Sequence, residues 1–121
     1  MSTFMNKDFL LTTETAKKLF HEVADKMPIL DYHCHLSPRE IAENISFENI
    51  TRLWLCDNGA GDHYKWRMMR ACGVDERYIT GDAPDKEKFM MWAKTLEKCI
   101  GNPVFSFSHL ELQRYFGVNE M

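Results

Sequence analysis

Ile29-Leu30-Asp31-Tyr32-His33-Cys34-His35-Leu36 is the stretch on which the fold of this chain turns. It is short, rich in apolar and aromatic groups, and bounded by Pro28 on one side and Ser37-Pro38 on the other. That pattern predicts a buried strand over about residues 29–36. Side chains alternate faces along a strand, so Asp31, His33 and His35 would share one face and Tyr32, Cys34 and Leu36 the other. Ser37-Pro38-Arg39-Glu40 follows at once and reads as a capping box with proline at the first helical position. A strand that turns directly into a helix is half of a βα unit.

Outward from this centre the sequence reads as helical, over about residues 38–117 and also upstream. Thr13 can cap a helix whose stripe is Ala16, Leu19, Phe20, Val23, Ala24 and Met27, with Pro28 ending it. A helical piece is expected from Phe47 to Leu55, broken by Cys56-Asp57-Asn58-Gly59-Ala60-Gly61. Asp62 can cap a helix through His63, Tyr64, Trp66, Met69 and Cys72, closed by Gly73. Asp82 is expected to cap the clearest helix, with Phe89, Trp92, Ala93, Leu96, Cys99 and Ile100 as its stripe and Gly101-Asn102-Pro103 as its end. Ser108 with Glu111 reads as a second capping box, starting a last helix to Gly117. One strand among five or six helices would leave its backbone groups unpaired, so either a missing C-terminal part or a second copy of the chain is expected to complete the sheet.

A chain of 121 residues with 45% apolar content fits one ordinary domain or a piece of one. The net charge of −3 comes from 15 basic and 18 acidic residues mixed along the sequence. With no basic patch, nucleic acid is not expected as a partner. No apolar run is long enough to span a bilayer, which takes about 20 residues, and the first residues lead into no secretory h-region, so no membrane partner and a cytoplasmic location are expected. Cys34, Cys56, Cys72 and Cys99 are widely spaced and read as reduced thiols.

The chemistry sits first in His33 and His35. Two imidazoles two residues apart on a strand can converge on one divalent ion, and Asp31 is on the correct face to orient one of them. A catalytic zinc usually takes at least three protein ligands, and only two are evident here. Taken alone, such a pair is more often two hydrogen-bonded core histidines. Its position at the carboxyl end of an apolar strand, where barrel enzymes place their sites, favours the metal. Taken alone, His63 and Tyr64 read more readily as the first turn of an amphipathic helix, with Tyr64 a surface residue and Lys65 and Arg67 its solvated face. Trp54, Trp66 and Trp92 lie on helical stripes and read as core.

The block Asp31-Tyr32-His33-Cys34-His35-Leu36 resembles the first-strand metal motif of uronate isomerases. Asp62-His63-Tyr64-Lys65-Trp66-Arg67, followed by Met69-Arg70 and Gly73-Val74, resembles a second signature of the same family. The likeness continues through Ile79-Thr80-Gly81-Asp82-Ala83, Gly101-Asn102-Pro103 and His109-Leu110-Glu111-Leu112-Gln113-Arg114, and back to Phe9-Leu10-Leu11. It spans essentially the whole chain. The resemblance implies an α/β parent fold, the (β/α)8 TIM barrel of the amidohydrolase superfamily, of which this chain is a mostly helical N-terminal part carrying the first strand. It implies interconversion of D-glucuronate and D-fructuronate, and of D-galacturonate and D-tagaturonate. It further implies that His33 and His35 ligate a divalent metal, commonly zinc, that Tyr64 reaches the uronate substrate and assists proton movement, and that His63 lines the same pocket.

Two features depart from the family pattern. Cys56–Ala60 adds residues between Trp54-Leu55 and Gly61-Asp62, and Ser106-Phe107-Ser108-His109 has serine where the family pattern has histidine. Family members are also several times longer and draw their remaining ligands and catalytic groups from later strands. The chain alone is expected to hold a metal weakly at most and to show little or no isomerase activity. The alternatives are a hydrolase of the same superfamily, which would share His-x-His but not the Asp62–Arg67 block, and a helical interaction or assembly module without catalysis.

Overall fold

The structure, a computed structural model, describes residues 4–56 and 61–119. Six α-helices occur among them: α1 (Glu14–Glu22), α2 (Pro38–Ala42), α3 (Ile50–Trp54), α4 (His63–Ala71), α5 (Asp85–Leu96) and α6 (Pro103–Phe116), with single 3-10 turns at Ala24–Lys26 and Glu76–Tyr78. The chain divides into two compact units, Met1–Cys34 with Ser106–Met121, and His35–Phe105. No helix among the described residues is long and apolar enough to cross a membrane.

The predicted strand over residues 29–36 is not formed. Among the described residues there is no strand, and residues 29–34 carry no regular hydrogen-bonded structure. Ile29 is 90% exposed and Tyr32 99%. The physical reason is that a strand borrows its backbone partners from a neighbour, and no second strand lies alongside. The expected facing of Asp31, His33 and His35 onto one side rested on that pleat.

Within the first unit, α1 begins where its sequence says: Thr13 has extended backbone and its hydroxyl accepts the Ala16 N–H at 3.0 Å. The helix stops at Glu22 rather than Met27, and Ala24–Lys26 continues as a 3-10 turn before Pro28. None of the residues of α1 is buried, and Leu19, Val23 and Met27 of the expected stripe are exposed. Asp8 Oδ1 meets His21 Nε2 at 2.8 Å, and the Gln113 amide donates to the Met5 carbonyl at 2.9 Å.

The second unit is organised on α5, which packs against α3, α4 and the Glu76–Tyr78 turn. Trp92 and Leu96 of its stripe are fully enclosed, together with Leu55, Met69 and Ile79, and Trp54 is buried beside them. Polar bonds fix the register. Asp85, in the first turn of α5, accepts from Asn49 Nδ2 at 2.9 Å and Arg52 Nε at 2.8 Å through its carboxylate, and from the Thr51 hydroxyl at 3.0 Å through its carbonyl. Trp66 Nε1 donates to the Leu55 carbonyl at 2.8 Å, tying α4 to the end of α3. Gly73, with φ +78°, ends α4, and the Val74 N–H bonds back to the Met69 carbonyl.

Several helix starts differ from the sequence reading. The piece expected from Phe47 begins at Ile50, capped by Asn49, whose side chain accepts the Arg52 N–H at 3.0 Å. Asp82 does not cap α5; Pro84 precedes the first helical residue, because the residue before a proline avoids helical backbone, and Asp82 instead lies 3.5 Å from Arg77 Nε. The helix also ends at Leu96, with Cys99 and Ile100 in the turn beyond. Ser108 and Glu111 form no capping box, since both lie inside the single helix α6, which Asn102 starts by accepting the Val104 N–H at 3.0 Å with Pro103 as first helical residue. The break read at Cys56–Gly61 falls largely on residues 57–60, outside the described residues.

Leu96→Ala should destabilise the chain by about 2–5 kcal/mol in urea unfolding, as large-to-small changes at enclosed sites do. Ile29→Ala should change it by less than about 0.5 kcal/mol, the range of substitutions at exposed positions. A large loss at Ile29 would mean that the stretch is packed after all.

Candidate functional site

The sequence-predicted residues fall in both units. His33 is exposed in the irregular stretch of the first, where its backbone N–H donates to Asp31 Oδ1 at 3.2 Å. His35, His63 and Tyr64 all belong to the second, and there the structure brings them together. The His35 ring stacks 5.8 Å from that of His63 and 5.4 Å from that of Tyr64, nearly parallel to both, while His63 and Tyr64 are 4.3 Å apart. Tyr64 remains half exposed, and the Arg67 guanidinium lies 5.7 Å over its ring.

The first turn of α4 sets this arrangement. Asp62, in extended backbone, accepts the N–H groups of Tyr64 at 3.0 Å and Lys65 at 3.2 Å through Oδ1, the expected N-cap. Its other oxygen meets the Lys65 ammonium at 2.8 Å and lies 3.9 Å from His35 Nδ1. Burial pushes the Asp62 carboxyl up, but the Lys65 ammonium and the two backbone N–H groups outweigh it, and the group ionises below its ordinary 3.8. Lys65 was expected on a solvated face; its side chain is only 13% exposed, because it folds back onto Asp62. The Asp–Lys spacing of three is the signal that could have shown this. The approach of Asp62 to His35 is a contact between residues far apart in sequence, and no local pattern announces it.

Among the described residues no group of three or more His, Cys, Asp or Glu side chains could hold a metal ion. His33 and His35 offer imidazoles of suitable chemistry, but two donors fall short of the three that a catalytic zinc ordinarily takes. The described residues therefore do not make a complete metal site.

The sequence model for the glucuronate isomerase family matches residues 1–121. The chain belongs to this family. It is 68% identical over 119 residues to a uronate isomerase of Lachnospira eligens, covering 98% of this chain and 25% of that protein. It is 62% identical to a uronate isomerase of Bacillus subtilis, covering 100% of this chain and again 25% of the relative. A crystal structure of uronate isomerase from Thermotoga maritima superimposes with a TM-score of 0.84 at 40% identity, over 99% of this chain and 26% of that one. The chain thus spans about a quarter of the length of the relatives it matches, their N-terminal part.

Family membership gives the Asp62 cap a test independent of catalysis. Asp62→Asn keeps a capping side chain but removes the charge that Lys65 faces. At neutral pH the variant should be less stable than the parent in urea unfolding. A carboxyl whose folded pKa is depressed contributes stability that is present above its unfolded pKa and lost as pH falls through the folded value. The difference should therefore close as pH drops below 3.8, and a gap independent of pH would remove the charge from the account.

Proposed function

We propose that these residues form part of a uronate isomerase that converts D-glucuronate to D-fructuronate, and D-galacturonate to D-tagaturonate, in the cytoplasm. In the complete enzyme the fold would be a (β/α)8 barrel in which residues 29–36 become the first strand. The observation that carries the reading is the family match along the entire chain together with the convergence of His35, His63 and Tyr64 at the start of α4. A hydrolase of the same superfamily is a poorer account, since the match includes the Asp62–Arg67 block as well as His-x-His.

An aldose–ketose isomerisation moves a proton between adjacent carbons and passes through an enediolate whose charge must be held. Tyr64 is the group of this chain suited to that work. Its phenol can donate to or accept from a substrate oxygen, it is half exposed, and its ring lies against those of both His63 and His35. His63 would line the same pocket and contact the uronate. His33 and His35 would supply two ligands to a divalent metal, zinc being one ion that takes imidazole nitrogen, and the remaining ligands would come from later parts of a full-length enzyme. When bound, such an ion would supply a Lewis acid near the substrate oxygens. A partner to the exposed 29–36 stretch, either those later strands or another copy of the chain, belongs to the same proposal.

In a full-length uronate isomerase carrying this segment, Tyr64→Phe should lower kcat for glucuronate by about 100-fold or more, the scale of a lost general acid or base. Unchanged turnover would take Tyr64 out of the mechanism. In the same protein His33→Ala and His35→Ala should each lower the metal content of the purified enzyme, read by elemental analysis; full occupancy in both would remove the two histidines from the metal site.

A further inference from the structure

In the His35–Phe105 unit a cavity of about 390 Å³ is lined by residues that include Arg52, Trp66, Thr80, Asp82 and Lys88. It shares no lining residue with His33, His35, His63 or Tyr64. Lys88 is only 7% exposed, yet among the described residues no hydrogen bond or ion pair engages its ammonium. A negative charge that acts on it is Asp85, whose carboxylate is already taken by Asn49 Nδ2 and Arg52 Nε. Fully enclosed side-chain nitrogens and oxygens that lack a partner are, among the described residues, Trp92 Nε1 and Ser108 Oγ. The Lys88 nitrogen is not one of them, so it opens onto the cavity it lines.

An ammonium on a largely buried stem that opens onto a cavity and is hydrogen-bonded to no carboxylate there is stabilised when an oxyanion reaches it. Arg52 strengthens the case. It spends Nε on Asp85 at 2.8 Å and keeps its two terminal nitrogens for a ligand, the edge that suits an oxyanion. Among the described lining residues the carboxylate is Asp82, which is 93% exposed and paired with Arg77, so it can turn to solvent. Trp66, whose Nε1 is committed to the Leu55 carbonyl, leaves the rest of its indole as an apolar wall.

We propose that this cavity binds a small oxyanion, a carboxylate or phosphate group, held between the Lys88 ammonium and the terminal nitrogens of Arg52. The test is calorimetric titration of the 121-residue chain with inorganic phosphate and, separately, with acetate. Saturable binding of at least one is expected, weakened about tenfold or more by Lys88→Met and by Arg52→Gln and retained by Lys88→Arg. Phosphate alone would assign a phosphate group, acetate alone a carboxylate, and both a general oxyanion site. No saturable heat with either probe overturns the proposal, as does parental affinity in Lys88→Met. Circular dichroism checks each variant. If Lys88→Met loses its helical signal, Arg52→Gln decides, since it changes a half-exposed side chain, and unchanged affinity there overturns the proposal too.

Discussion

The backbone of an α-helix closes its own hydrogen bonds, while that of a strand must borrow them from a neighbour. Much of this structure follows from that difference. Helices α1–α6 close their backbone bonds within themselves, and α3 and α4 are further held by packing on α5. The stretch 29–34 has the composition of a strand but no neighbour of its kind, so it stays irregular, with Ile29, Leu30 and Tyr32 in solvent. The exposure of Leu19, Val23 and Met27 on α1 has the same character. Their spacing prepares a face for burial, and nothing in the first unit buries it.

Asp62 works on a smaller scale and locally. A single carboxylate caps α4, neutralises Lys65 and stands near His35, so the direction of Tyr64 is set by a helix end that the chain makes for itself. Burial alone would raise the pKa of such a group; that it is lowered shows that the ammonium and the two N–H donors outweigh the desolvation. The cluster of His35, His63 and Tyr64 therefore does not depend on the missing strand, whereas the pairing of His33 with His35 on one face does.

What could be read in the sequence divides along the same line. Thr13, Ser37 and Asp62 were legible as caps because capping is settled within three or four residues, and all three bond as expected. Trp54 and Trp92 were legible as core from helical spacing. Asp82 and Ser108 misled for a reason also local: each has a capping side chain, but a proline nearby fixes the helix start first, Pro84 after the one and Pro103 before the other. The position of His35 beside Asp62 and the isolation of Lys88 are properties of chain segments meeting, and periodicity carries no trace of them. The family resemblance, resting on several blocks in order, reached further than either periodicity or spacing and is matched over residues 1–121.

The same difference separates the residues proposed for the site. Tyr64 and His63 sit on a self-capping helix, so their mutual geometry is present in a quarter of the length of the matching relatives. His33 sits where the backbone needs partners, and no strand among the described residues supplies them. A metal ion held partly by such a stretch would be bound only when the sheet is complete, since its affinity includes the ordering of the backbone that carries its ligands. On the proposed roles, Tyr64 at a helix end would be the local part of the site, and His33 in the 29–34 stretch the part contingent on strands supplied from elsewhere.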